Sequence, residues 1–416
     1  MSWICIVGFG ICSAIILSCF KRGADPLSPA RVFGFIWSLS ITLVEFKLSA
    51  LQHIWNIDSW ILLLLGVVSF LIGTFIAYVM NFKREMVPIN SMRRLLRREE
   101  IRESRLFWII TLSVLIYSIS YLVIFLVKGF LPVFAVGAIS RVDFYVFGFG
   151  VLINSTAFII YFTVLYYFLV HGKKGKKVFL TFISLIAVGS YFLLLQRFQI
   201  IMAAVICFTL LYYASHYIRW RTTLLFFSIL GGVFFWIMTL RLGKLVLTYN
   251  YYWSRMKFSA DYALLTEPYM YVVMNLENFA RAVSRLEHHT YGYFTFDFIT
   301  ALSGLKYWVI DYFKLNRTPF LNSSYNTYTA FYWFYSDFGV FGLALIPLVL
   351  GFSAGLLYYR MRSKPTIKNV TAYGVMVFVM FISYFNFPIA FLWFEYNILA
   401  LFLILRWTMI PLKEHA

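Results

Sequence analysis

The side chains best suited to chemistry in this sequence are arginines placed where a bare surface role is hard to justify. They are Arg141 (AISRVDF), Arg197 (LLLQRFQII), Arg241 (MTLRLGK), and Arg255, Arg281 and Arg285 in a long polar stretch. A guanidinium offers a planar fork of donors that grips a phosphate through two bonds, and several around one pocket suit a pyrophosphate. The plainer alternative is snorkelling to headgroups, or pairing with a local acid such as Asp143. Arg197 stands apart, because its turn between two apolar runs is too short for a casual surface residue. His288 and His289 (RLEHHTYGYF) change charge near neutral pH and suit taking a proton from a hydroxyl; Glu277 and Glu287 are carboxylate alternatives. No further ligands stand at metal spacing, so no metal site is expected. Asn326, Tyr335 and Asp337 fall in YNTYTAFYWFYSDFGVFG. An aspartate entering an apolar run is costly and is either functional or tightly paired. Here it would orient an arginine or bind a hydroxyl, while Gly339 and Gly342 permit close helix approach or a broken helix.

The elements that must position these residues are set by hydropathy. Of 416 residues, 62% are hydrophobic and 13% charged, against about a quarter charged in soluble folds. Mean hydropathy is +0.80. Apolar runs fall at 3–19, 32–52, 59–80, 106–128, 150–170, 178–195, 198–217, 222–246, 331–359, 370–387 and 390–409. They predict an all-α polytopic integral membrane protein, a single membrane domain over 1–416 with about eleven (ten to twelve) transmembrane helices. The segments 20–31, 81–105, 171–177, 218–221 and 360–369, with the C-terminus and Arg406, hold 23 of the 36 Lys and Arg, whereas the short turns 53–58 and 388–389 hold none. The positive-inside rule then puts the basic segments and the C-terminus in the cytoplasm and the N-terminus outside. The first run lacks a basic leader and a small-x-small cleavage site, so it reads as a retained span.

The basic loop 81–105 (MRRLLRREEIRESR) reads as an amphipathic helix near anionic headgroups. Two external segments are longer, 129–149 and 247–330. The second is rich in Tyr, Phe and Trp, which argues against disorder and predicts amphipathic helices over the mouth of the bundle. TYGYF or FYWFY could stack on sugar rings, although interfacial belts explain most of the aromatics. A formal charge of +19 concentrated between spans is topological and does not point to nucleic acid. Cys5, Cys12, Cys19 and Cys207 lie inside predicted spans, so no disulfide or CxxC site is expected. Walker A, GxSxG, HExxH and paired DxD motifs are missing. Intramembrane ionisable groups are few: Glu45, Lys47 and Glu395. Glu45 and Lys47, two apart on a helix, are not expected to pair.

At YNTYTAFYWFYSDFGVFG the chain resembles the oligosaccharide repeat unit polymerases, the O-antigen polymerases of bacterial surface polysaccharide assembly. Asn326, Thr329, Tyr335, Asp337, Phe338, Gly339 and Gly342 carry the likeness. Arg197 in its short turn, Arg141 after the fourth span, and the MNLENFARAV and TYGYFTF segments are similar to the family's arrangement. Arg281 and Gly292 match its Arg-x10-Gly spacing; Arg141 has no such glycine. The resemblance implies a GT-C-like bundle in the bacterial inner membrane, its site facing the periplasm under one long periplasmic loop. It implies a donor glycan and an acceptor repeat unit, each on undecaprenyl pyrophosphate, no cofactor, and a chain-length regulator as partner. An O-antigen ligase, a lipid-linked oligosaccharide flippase or transporter, and a membrane acyltransferase are the alternatives.

In such a transfer the hard part is charge on the departing pyrophosphate, and fixed cations there act chiefly on the transition state. The expected arrangement is Arg197 with Arg141 or Arg241 on the pyrophosphate, and Arg281, Arg285 and His288 toward the acceptor. The base is His288, His289 or Glu277, or is dispensable. Arg197→Lys is therefore expected to lose most activity, since a point charge does not replace the fork. Polymer ladders of normal length from this variant, at normal protein level, would refute the assignment.

Overall fold

The computed structural model describes residues 3–21, 23–134, 143–170, 172–215, 222, 225, 228, 232, 247–305, 308, 325 and 327–410. In chain order the helices are α1 (Trp3–Cys19), α2 (Pro29–Glu45), α3 (Ile57–Met80), α4 (Ile89–Leu96), α5 (Glu103–Lys128), α6 (Phe149–Ile153), α7 (Thr156–Leu169), α8 (Lys174–Phe192) and α9 (Phe198–Ala214). They continue with α10 (Thr266–Arg285), α11 (Asp297–Ser303), α12 (Ala330–Ser363), α13 (Ile367–Ile382) and α14 (Leu392–Thr408). Among the described residues there is no strand, only the isolated bridges Ser49–Met256 and Ile101–Met409. Each predicted apolar run coincides with a helix except 222–246, most of which lies outside the described residues.

Among the described residues five helical stretches are long and apolar enough to cross a membrane: α3, α5, the α6–α7 run Phe149–Leu169, α8 and α12. α1, α9 and α13 are apolar but shorter. The chain is a helical membrane-embedded protein. Two compact units divide it: 1–86 with 220–363 and 379–392, and 87–219 with 364–378 and 393–416.

In the first unit, α3 and α12 form the main packed pair. Ile57, Ile61, Leu64, Val68, Ile72, Phe75 and Val79 make an exposed apolar stripe along α3. Its opposite face is small: a Cβ on Gly73 would strike the Leu348 carbonyl, and one on Gly351 the Phe70 carbonyl. Without a hydrophobic force between helices in lipid, such small residues let backbones approach closely enough for dispersion to hold them. Phe33 stacks on Phe70 at 3.7 Å and Trp37 on Phe331 at 4.1 Å, joining α2 to this pair. α12 is broken at Gly339, whose φ of +60° favours glycine.

Against the expected span 32–52, α2 stops at Glu45 and residues 46–56 run without helix. Lys47 adopts φ +48°, and the strand-like pairing of Leu48 and Ala50 with Lys257 and Arg255 takes the backbone bonds a helix would have used. The turn also overturns one expectation. Helical spacing does not apply here, and Lys47 Nζ comes to 3.7 Å from Glu45 Oε1.

In the second unit the basic loop contributes α4, which packs on α9 through buried Met92 and Leu96. Arg93 and Arg97 donate to the Tyr212 and Ala214 carbonyls at the C-terminal end of α9, where positive charge meets unpaired carbonyls. Half-buried Asn154, between α6 and α7, accepts from Gln199, which accepts from Asn397. Glu99, between α4 and α5, accepts the Ile367 N–H at 2.9 Å and so caps the start of α13. Burial pushes its carboxyl from 4.5 up to about 7, opposed by that hydrogen bond. The native state therefore keeps a proton that the unfolded chain releases near 4.5, and stability falls as pH rises from about 4.5 to about 7. Glu99→Gln should flatten this dependence in thermal unfolding measured across that window; an unchanged slope would remove Glu99 as its source.

Candidate functional site

The largest convergence of expected site residues is built on α10. Its buried face, which includes Tyr269, Met270, Val273, Asn275, Leu276, Glu277 and Asn278, packs on α2, α3 and α12. Asn278 donates to the Tyr325 and Thr327 carbonyls, fastening the helix to the chain entering α12. The 46–56 segment lies along the same helix. Tyr269 donates to Gln52, and Leu48 N–H to the Tyr269 hydroxyl.

Glu277 is wholly buried and joins the two. Its Oε1 accepts from Lys47 Nζ at 3.2 Å and Trp55 Nε1 at 3.0 Å, and its Oε2 from the His53 main-chain N–H at 3.2 Å. Lys47 also sits over the Trp55 ring at 5.2 Å. One turn along α10, Arg281 Nη2 donates to the Leu51 carbonyl at 3.1 Å and lies 3.0 Å from His53 Nδ1. Burial draws the Arg281 guanidinium below its ordinary value; Glu277 opposes the shift and Arg285 adds to it.

Around these groups opens a cavity of about 170 Å³ lined by His53, Trp55, Asn56 and Ser59 from one side and by Glu277, Arg281, Ser284 and Arg285 from α10. Its cations outnumber its one lining carboxylate, which already has three donors. The arrangement suits an anionic ligand gripped by two guanidinium groups, with an imidazole beside them. Among the described residues no cluster of three or more His, Cys, Asp or Glu suits a metal ion.

Of the expected residues, Glu277, Arg281 and Arg285 are thus brought together. His288 and His289 are exposed and do not line this cavity. His289 instead packs edge-on against the Tyr335 ring at 5.9 Å and borders Gly339, where an added Cβ would stand 2.8 Å from its Nε2. Asp337 is fully buried. Its carboxylate accepts from the Thr290 hydroxyl, from Phe294 N at 3.1 Å and from Thr295 N at 2.6 Å. The carboxylate clasps the turn 290–295 (TYGYFT), with the Thr290 hydroxyl among its donors, the tight pairing expected of an aspartate in an apolar run. Arg197 belongs to the second unit, buried at the head of α9 after a turn in which Leu195 takes φ +55°. Arg141, Arg241 and Asn326 lie outside the described residues.

Sequence reasoning passed over His53 and Trp55, and noted Lys47 only as an intramembrane charge. The available signal was a polar and aromatic LQHIWN in what otherwise read as a span end and a short turn. It also passed over Gln199 and Asn397, single amides in apolar runs. No family model, curated protein or solved structure matches the chain.

Removing the Glu277 carboxylate leaves Trp55 and the His53 N–H without their acceptor and Lys47 with Glu45 alone of its two carboxylates. Glu277→Ala should cost about 3 kcal/mol, as for a broken buried pair, and Glu277→Gln less. The readout is the thermal unfolding midpoint in detergent; equal midpoints for the wild type and the alanine variant would show that the carboxylate does not hold the segment.

Proposed function

We propose that the protein is a membrane glycosyltransferase that polymerises oligosaccharide repeat units carried on undecaprenyl pyrophosphate. In this reading about eleven spans cross the bacterial inner membrane, with the N-terminus and the 247–330 segment in the periplasm and the C-terminus in the cytoplasm. The observation that carries it is the cationic cavity at Arg281 and Arg285, formed on the long segment that topology puts outside. It is supported by the likeness at 326–342, where Asp337 and Gly339 now have definite work in shaping the chain around that segment.

The donor glycan leaves its lipid diphosphate as a terminal hydroxyl of the acceptor unit attacks the anomeric carbon. Arg281 and Arg285 bear on anionic oxygens; Arg141, Arg197 and Arg241 are the sequence's other candidates for gripping a diphosphate. Tyr335, His288 and His289 stand toward the glycan, with Asn326 at the entry to α12. Asp337 acts by holding the turn that carries the aromatic TYGYF. The polyprenyl tails stay in lipid, and a chain-length regulator is the expected protein partner.

Purified protein in lipid nanodiscs should convert a synthetic lipid-linked repeat unit into a ladder of polymers and continue in the presence of chelator. In cells, loss of the gene should leave lipopolysaccharide capped by one repeat unit. Lipopolysaccharide bearing no unit at all would indicate a ligase or flippase instead.

A further inference from the structure

The start of α5 and the end of α14 are tied together by main chain. Arg102 N–H donates to the Thr408 carbonyl at 2.9 Å and Ile410 N–H to the Glu100 carbonyl at 3.1 Å, and Ile101 bridges Met409. This places Arg105 on Trp407. Its Cζ stands 5.3 Å over the indole ring, and its Nη1 donates to the Trp407 carbonyl at 3.4 Å. A guanidinium carries five N–H donors, and this long bond is all that Arg105 makes among the described residues. Arg406, one residue before Trp407, is exposed and pairs with no acid among the described residues.

The charged groups around them are already committed. Glu103 is held by Lys176 at 3.1 Å and by the Tyr166 hydroxyl at 2.9 Å. Lys177 donates to the Tyr167 carbonyl, Arg93 and Arg97 close the end of α9, and Glu99 caps α13. The surface that continues from Arg105 is apolar. On α5, long and apolar enough to cross a membrane, Leu112 lies two turns on and shares the face of Arg105. Trp108, Leu112 and Ile119 are exposed there. On α14 Leu399, Leu403 and Trp407, four apart, form a second exposed face.

Two cations without a carboxylate thus stand where two apolar flanks end, beside tryptophans, whose amphipathic rings favour that boundary. An anion that also carries acyl chains answers both features at one place. A zwitterionic headgroup brings its own cation to the phosphate and gains less from a guanidinium, and free phosphate gains nothing from the flanks. We propose that Arg105, Arg406 and Trp407 form a site for an anionic phospholipid, with its phosphate on the two guanidinium groups and its acyl chains along α5 and α14. Stacking on Trp407 holds the Arg105 fork in one orientation, so that its open donors face the phosphate together. The site belongs to the second unit and does not rest on the polymerase reading.

The test titrates the delipidated full chain in detergent with dioleoyl-phosphatidylglycerol or dioleoyl-phosphatidylcholine and counts the first bound lipid by native mass spectrometry. The wild type should bind phosphatidylglycerol about tenfold more tightly than phosphatidylcholine, with the preference shrinking as salt rises. Arg105→Ala and Arg406→Ala should each weaken phosphatidylglycerol binding by about fivefold and leave phosphatidylcholine binding unchanged. Arg406 is exposed, so its variant carries the test without disturbing packing. Arg105→Lys should recover only part of the loss, because a point charge does not replace the fork. Equal wild-type affinities for the two lipids would leave annular lipid only and overturn the proposal. So would an undiminished preference in the double alanine variant, which would put the selectivity elsewhere. Displacement of the bound lipid by inorganic phosphate would overturn it in favour of a simple ion site.

Discussion

A single buried carboxylate organises the first unit. Glu277 lies in the packed face of α10 with no access to solvent, where an unpaired charge would be prohibitive. Three donors from residues 47–55 reach it. Those donors come from a stretch that hydropathy alone would continue as a membrane helix. The chain leaves the helix after Glu45 because it exchanges helical backbone bonds for the ladder to Arg255 and Lys257 and for the Glu277 contacts. That exchange is what places His53 and Trp55 beside Arg281 and opens the cavity.

The second organising acid works in the same way. Asp337 lies where α12 breaks, and its carboxylate is filled by Thr290, Phe294 and Thr295. Gly339 supplies the positive φ that lets α12 turn past His289 without a clash. The conspicuous motif residues are thus spent on conformation, and the groups left facing open space are less conspicuous ones. In the second unit Asn154, Gln199 and Asn397 are linked in series by two hydrogen bonds, and Arg93 and Arg97 close the end of α9.

Most of the helical architecture was legible in the residues. The apolar runs needed to bury backbone bonds in lipid, and helices satisfy those bonds within each segment. The break at Gly339 was legible as an option, as were amphipathic helices within 247–330 and in the basic loop. Arg281 drew notice as an arginine in the long external segment, and Glu277 as a carboxylate alternative to His288 and His289. What composition could not convey was which charges would be consumed by neighbours. Asp337 and Glu277 were both named as candidate acids, and both proved to be filled by donors that lie nearby only in the folded chain.

By itself the sequence determined a helical membrane protein with its basic residues segregated between apolar runs, because those properties follow from local periodicity and charge. Tertiary structure alone decided that LQHIWN would leave the helix, that Lys47 would pair with Glu45 and Glu277, and that His53 would meet Arg281. Each of these joins residues either two apart across an unforeseen turn or more than two hundred apart in the chain. Such pairings depend on where a buried charge finds its donors, and no local pattern encodes that distance.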